Sequence, residues 1–262
     1  VLLPIKRLFL PAIAILALIA MIPNILDFDN QPPAPIEWLK MPGQAVDIDI
    51  SMDGFAWVVA TDGRVKRWNG ADWQDFGGNA SRIAAGPGGN IWIIDKNNQI
   101  YRLDNNKWLL MPGKATDIAI GASGPIWMVG TEITDGGYQV FKWGETDWVA
   151  EDKAGVRIAV GPKGNPWIVN DKTEIFRLTR MVWKKAPGAA TDIAIAANGV
   201  SWIIEPPANP GEEGPVSSWG GKSWVRHYGA LRSIATDARS YAWGLNQKNE
   251  IFADSRSVAL RP

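Results

Sequence analysis

Three tryptophans are the side chains of this sequence best suited to gripping a ligand. Trp68, Trp143 and Trp219 each precede a tight-turn signal, as in Trp68-Asn-Gly-Ala-Asp-Trp73. An indole face stacks on the apolar face of a sugar ring, and its N–H donates a hydrogen bond. Three equivalent positions would add avidity toward a repetitive glycan. The competing reading is that they pack inside, as large aromatic side chains commonly do.

Catalytic chemistry has little to work with. The single histidine, His227, stands three residues after Trp224, at a place where related segments carry Met41, Phe76, Met111, Glu151 and Ala186. That company reads as strand packing rather than a general base. Cysteine is absent, which removes a thiol nucleophile, a disulfide framework and Cys-based zinc sites. One histidine cannot supply the pair that H-E-x-x-H needs. Neither a nucleophile elbow, a phosphate-binding glycine loop nor a calcium loop occurs. The sequence is therefore read as a non-enzyme without metal or cofactor.

The elements that must position these residues emerge from a repeat. Trp38, Trp73, Trp108, Trp148, Trp183 and Trp224 are each followed nineteen residues later by another tryptophan: Trp57, Trp92, Trp127, Trp167, Trp202 and Trp243. Ten residues after each leading tryptophan stands Ile48, Ile83, Ile118, Ile158, Ile193 or Ile234. The next position is Asp49 in the first copy and alanine in the other five. Sixteen residues on comes Gly54, Gly89, Gly124, Gly164, Gly199 or, in the last copy, Ser240. A fixed period of this length marks a repeat architecture.

Each copy reads as four short strands. In the third they are Asp117-Ile-Ala-Ile120, Ile126-Trp-Met-Val129, Gln139-Val-Phe-Lys-Trp143 and the segment opened by Trp148. Alternation with turns at short intervals predicts all-β structure. Units of four strands that cannot bury both faces alone predict a six-bladed β-propeller. The phasing leaves Ile36-Glu-Trp38-Leu over at the start and the last blade short of its outer strand. Pairing the two closes the ring and hides an edge. Residues 257–260 compete for that slot, and the N-terminal strand is favoured.

Several stretches resemble tectonin repeats: Trp108-Leu-Leu-Met-Pro-Gly-Lys-Ala-Thr-Asp-Ile-Ala-Ile-Gly121, Gly124-Pro-Ile-Trp127, Gly136-Gly-Tyr-Gln-Val-Phe-Lys-Trp143 and Ile100-Tyr-Arg102. The resemblance runs from residue 36 to about 254. It implies a six-bladed propeller of the kind found in tectonins and in tachylectin-like and fish-egg-type lectins. It also implies a partner: a glycan or lipopolysaccharide-type ligand. Because propellers serve many ends, a scaffold for an envelope protein without a sugar site is the alternative.

The copies alternate. Met41-Pro-Gly43, Met111-Pro-Gly113 and Ala186-Pro-Gly188 belong to odd copies, as do Trp68, Trp143 and Trp219. This predicts two-blade pairs with pseudo-threefold symmetry. Nine residues after the leading tryptophans stand Asp47, Arg82, Asp117, Arg157, Asp192 and Ser233, with Arg232 one place earlier in the last copy. On inner strands they would ring the channel mouth, either as blade-to-blade ion pairs or as a site for an anion or sugar. Two insertions, residues 130–137 and 205–215, are read as loops on that same face. The second, acidic and proline-rich, suits a binding loop or a solvated spacer.

The first 26 residues differ. Lys6 and Arg7 precede an apolar run from Leu8 to Ile22, broken by Pro11 and ended by Pro23, with no acid before Asp27. This is the layout of an export signal. It is read as either an uncleaved signal anchor, touching the membrane through residues 8–26, or a cleaved signal peptide. Residues 27–35 read as a stiff proline-rich linker, and residues 36–262 as the propeller. The protein is thus expected to be exported, either membrane-anchored or periplasmic or secreted, and monomeric. With 27 basic and 27 acidic residues, the net charge of zero argues against a nucleic-acid partner.

Overall fold

The computed structural model describes residues 35–258. The apolar segment and nearly all of the linker read from the sequence lie outside that range. The described residues form a β-propeller of antiparallel up-and-down sheets, with a 3-10 turn at Pro87–Gly89 and a short helix after the last strand.

Strand β1 (Trp38–Ile50) leads into β2 (Ala56–Ala60), β3 (Val65–Trp68) and β4 (Trp73–Asp75), forming the first blade. The second blade comprises β5 (Arg82–Ala85), β6 (Ile91–Ile94), β7 (Gln99–Asp104) and β8 (Lys107–Lys114). The third comprises β9 (Asp117–Ile120), β10 (Ile126–Thr134), β11 (Gly137–Trp143) and β12 (Trp148–Gly155). The fourth comprises β13 (Arg157–Val160), β14 (Pro166–Val169), β15 (Glu174–Thr179) and β16 (Val182–Ala189). The fifth comprises β17 (Asp192–Ile195), β18 (Ser201–Ile204), β19 (Gly214–Trp219) and β20 (Trp224–Leu231). Last come β21 (Ser233–Thr236), β22 (Ala242–Leu245) and β23 (Glu250–Asp254), then helix α1 (Ser255–Val258).

β1 does double duty. Its first residues pair with β23, with Trp38 opposite Asp254 and Met41 opposite Ile251. Its last residues pair with β2, with Ile48 opposite Val58. The two blades therefore merge into a seven-stranded sheet. The slot for a closing strand is filled from the N-terminal side, while residues 255–258 turn into α1.

Local chemistry explains the repeated positions. The residue sixteen places after each leading tryptophan sits in the left-handed region in every copy, including Gly124 at φ 97° and Ser240 at φ 72°. Glycine occupies that conformation without a Cβ penalty, which accounts for five of the six choices. The inner strands carry small or branched apolar residues that pack against the next blade, as Ile83 and Ala85 do beside Trp57 and Val59.

The Pro-Gly pairs of the odd copies lie at β-bulges in the outer strands. The register of β1 slips between Met41 and Gln44, around Pro42 and Gly43. Proline loses no ladder bond on an edge strand, and the bulge re-aims its carbonyl. Trp73, Trp148 and Trp224 donate their indole N–H groups to the carbonyls of Pro42, Pro112 and Pro187, each at 2.8 Å. Trp108 and Trp38 make the same bond to Phe76 at 3.1 Å and to Tyr228 at 2.9 Å. At the corresponding seam of the fourth blade, Lys153 replaces the glycine, and the buried Nε1 of Trp183 has no partner.

One expectation about the insertions is corrected. Residues 130–137 are a continuation of the β10–β11 hairpin, with Ile133 opposite Tyr138 and Thr134 opposite Gly137, rather than an irregular loop. The acidic insertion is irregular, but it is tied down. Glu213 Oε1 accepts the Gln247 amide at 3.0 Å, the Glu212 carbonyl accepts Gln247 Nε2 at 3.1 Å, and Glu205 pairs with Arg226. A freely solvated spacer would carry none of these ties.

Candidate functional site

The residues nine places after the leading tryptophans converge on the channel. Asp47, Asp117 and Asp192 are buried, and each reaches across to the next inner strand. Their Oδ2 atoms accept the amides of Ile83 at 2.8 Å, Ile158 at 2.9 Å and Ile234 at 2.8 Å. Arg82 spans two of them, with Nη1 at 3.1 Å from Asp47 and Nε at 4.0 Å from Asp117. Arg157 Nε lies 3.5 Å from Asp192. Ser233 is buried and uncharged, while Arg232 turns into the last seam, where the carbonyls of Ala45, Val46 and Asn246 and the Asn249 side chain accept its N–H groups. Five charges therefore alternate around the ring, and the same Asp-to-amide bond recurs three times.

Burial pushes the carboxyl of Asp117 up to about 6, against the pull of Arg82 and Arg157. Asp49, one turn of the pleat deeper, is pushed up to about 7 by burial, with Asp47 and Asp117 adding to the shift. Its two oxygens accept the amides of Ile50 and Ala85, both at 2.8 Å. The channel cavity these groups line measures about 90 Å³. Pockets that hold small ligands run from roughly 300 to 1,000 Å³. The channel geometry is that of a blade-to-blade staple.

The three odd-copy tryptophans lie in the packing between blades. Trp68 is 6% exposed, wedged beside Met41, Ile48 and Trp243. That corrects the reading of Trp68 as a ligand contact, since no free ring face remains. Trp143 and Trp219 are half-buried and meet their leading partners edge to face, Trp148 at 5.0 Å and Trp224 at 5.1 Å. Trp143 also packs edge-on against Trp92 at 5.6 Å.

His227 has one hydrogen-bond partner among the described residues. Its Nε2 lies 2.8 Å from Ser218 Oγ, and its ring stacks on Trp202 at 4.7 Å. A serine nucleophile with its base would need a third group on Nδ1. Among the described residues, no hydrogen bond or ion pair supplies one. Burial holds the imidazole below its ordinary pKa, and nearby Arg256 adds to that.

A groove of about 580 Å³ opens between the first and second blades, on the face opposite the insertions. Trp57 and Phe76, whose rings are 4.7 Å apart, form one wall with Arg67. Asn90, Arg102 and the turn carrying Asn105 and Asn106 complete its lining. Both turn asparagines have positive φ, 46° and 61°, and make the two-residue reversal between β7 and β8. Gly88 also has positive φ, and a Cβ built on it meets nothing within 4 Å. Other copies carry Asp53, Ser123, Lys163, Asn198 and Arg239 at that place, so only the second copy lacks a side chain there.

The groove cations belong to a pattern not used in the sequence reading. Arg67, Arg102, Lys142 and Arg177 stand directly across the ladder from Trp57, Trp92, Trp127 and Trp167. The last two blades carry Ser218 and Ala253 instead. A basic residue 29 places after the leading tryptophan in copies one, two and four was the available signal.

The family model described as Tectonin domain matches residues 79–167 and 154–261. Among solved structures, the chain is similar to a gluconolactonase, XC5397, from Xanthomonas campestris. The TM-score is 0.63 at 11% identity, covering 84% of this chain and 89% of that one. It is also similar to YCF48 bound to D1 peptide, with a TM-score of 0.57 and 15% identity over 84% and 96% of the two chains. The WD40 β-propeller domain of Doa1 matches with a TM-score of 0.57 and 10% identity over 86% and 98%. At such identities the likeness speaks for the propeller fold alone. No curated protein sequence matches the chain.

Proposed function

The chain belongs to the Tectonin domain family, and from that premise we propose that it is a non-catalytic, six-bladed binding module that recognises carbohydrate at a cell surface. The observation that carries this reading is the groove between the first two blades. The half-buried ring of Phe76 stands beside the amides of Asn90, Asn105 and Asn106. Sugar recognition asks for that combination of flat apolar surface and a few convergent polar groups. Trp143 and Trp219, each half-buried, are secondary contacts in this proposal. Export, by a cleaved signal or by an anchor in residues 8–26, would bring the groove to glycans outside the cell.

Among the described residues no helix is long and apolar enough to cross a membrane. The full chain applied to an array of microbial and host glycans tests the proposal. Binding to a defined set of glycans supports it, and an array with no binding overturns it.

A second reading, an envelope-protein scaffold without a sugar site, draws on the outer strands. Leu110, Val149 and Val182 are 61%, 59% and 55% exposed on β8, β12 and β16, and Met181 is 83% exposed beside them. Apolar side chains on successive edges suit a protein partner. Capture of an envelope protein by a chain that ignores every glycan would favour this reading.

A further inference from the structure

Two guanidiniums line the groove. Arg67 and Arg102 come from adjacent blades, and neither forms an ion pair among the described residues. Arg67 is held by rings instead. Its guanidinium carbon lies 4.7 Å from the Phe55 centroid, 5.0 Å from Phe76 and 5.5 Å from Trp57. Among the described residues, its one side-chain hydrogen bond runs from Nη2 to Gln74 Oε1 at 3.1 Å, and its buried Nε has no acceptor. Arg102 has no side-chain hydrogen bond among the described residues.

Elsewhere half-buried arginines meet carboxylates, as Arg82 and Arg157 do in the channel, or carbonyls, as Arg232 does in the last seam. The sole acid lining the groove is Asp104, exposed on the hairpin turn. Two guanidiniums thus outnumber one solvated carboxylate. A guanidinium presents a planar fork of donors that fits a carboxylate. The half-buried Phe76 ring lies beside Arg67, and the apolar face of the same ligand would rest there.

We propose that the groove between the first two blades takes an acidic carbohydrate, a pyranose bearing a carboxylate, with Arg67 and Arg102 as its counter-charges. The sugar would lie along Phe76, over the bare backbone of Gly88. This rests on the carbohydrate reading above and narrows it to one chemical class and one seam.

The test uses the full chain and two probes, a galacturonic acid trimer and the same trimer methyl-esterified at each carboxyl. Charge-assisted hydrogen bonds predict that the acid binds about tenfold tighter or more, with the preference shrinking as salt rises. Arg102→Gln should shrink the preference, since only Arg67 would remain as a counter-charge. Arg177→Gln, over Trp167 in the fourth blade and outside the groove, should retain it. Arg67→Lys keeps the charge without the fork and should narrow the preference. If acid and ester bind equally, the acidic class is overturned while the carbohydrate reading stands. The same holds if neither trimer binds but the glycan array shows other binders. If the array is empty as well, both fall.

Discussion

Trp224 donates its indole N–H to the carbonyl of Pro187 at 2.8 Å, from the outer strand of the fifth blade to that of the fourth. The contact requires Gly188 beneath the ring. At φ 89°, a Cβ added there would lie 2.6 Å from Trp224 Nε1. Gly77 shares the left-handed conformation, at φ 69°, but a Cβ on it meets nothing within 4 Å. Both alanine variants carry the backbone penalty of about 1–2 kcal/mol. Gly188→Ala should cost a further ~1–3 kcal/mol from overpacking. Denaturant unfolding of the two variants reads the difference directly.

Burial of the odd-copy tryptophans is unequal, and stability should follow it. Trp68→Ala should cost about 3–5 kcal/mol, as expected for emptying a buried aromatic site. Trp219→Ala, at a half-buried position, should cost less. Equal costs would mean that Trp68 is not enclosed in solution. The measurement is the shift in unfolding midpoint of each single variant.

The channel carboxyls make stability depend on pH. Asp49 and Asp117 rise from 3.8 in the unfolded chain to about 7 and about 6 in the fold. A raised carboxyl holds its proton more tightly when folded, so stability falls as pH climbs through that window and levels off above it. The thermal midpoint should therefore be higher at pH 5 than at pH 8. Asp49→Asn removes one of these groups and should flatten the dependence. Melting curves across pH 4–8 for the two proteins check the sign.

Ring closure by β1 places Leu39 directly opposite Ala253. The protein has no cysteine of its own, so Leu39→Cys with Ala253→Cys offers a clean crosslink. Paired strand positions lie within disulfide reach. Oxidation should link the two and raise the unfolding midpoint, because the bridge closes nearly the whole propeller. Failure to crosslink in the folded protein would contradict closure by the N-terminal strand.

Much of this architecture was legible because the repeat exposes it. Tryptophans at a constant spacing of nineteen fix the second strand of every blade, and the recurring glycine marks a turn that needs positive φ. Asp47 and Arg82 were legible as channel neighbours because both follow a leading tryptophan by nine places. The groove was less so. Pairing Arg67 with Trp57 depends on register across a turn, and joining it to Arg102 depends on how two blades meet. Trp68 misled for a related reason: an indole before a hairpin looks the same in sequence whether its face is open or covered. The first insertion was misread because residues 130–137 carry turn formers, Gly136 and Gly137, yet place them at the tip of a longer hairpin.

The central claim is that the groove at the first seam binds carbohydrate, and a plug tests it most directly. Gly88→Leu adds bulk where a Cβ meets open space, at a conformational cost of about 1–2 kcal/mol. Glycan binding by this full-chain variant should be lost while its circular dichroism spectrum and cooperative melt remain those of a folded propeller. Unchanged glycan binding in the folded variant would contradict the claim.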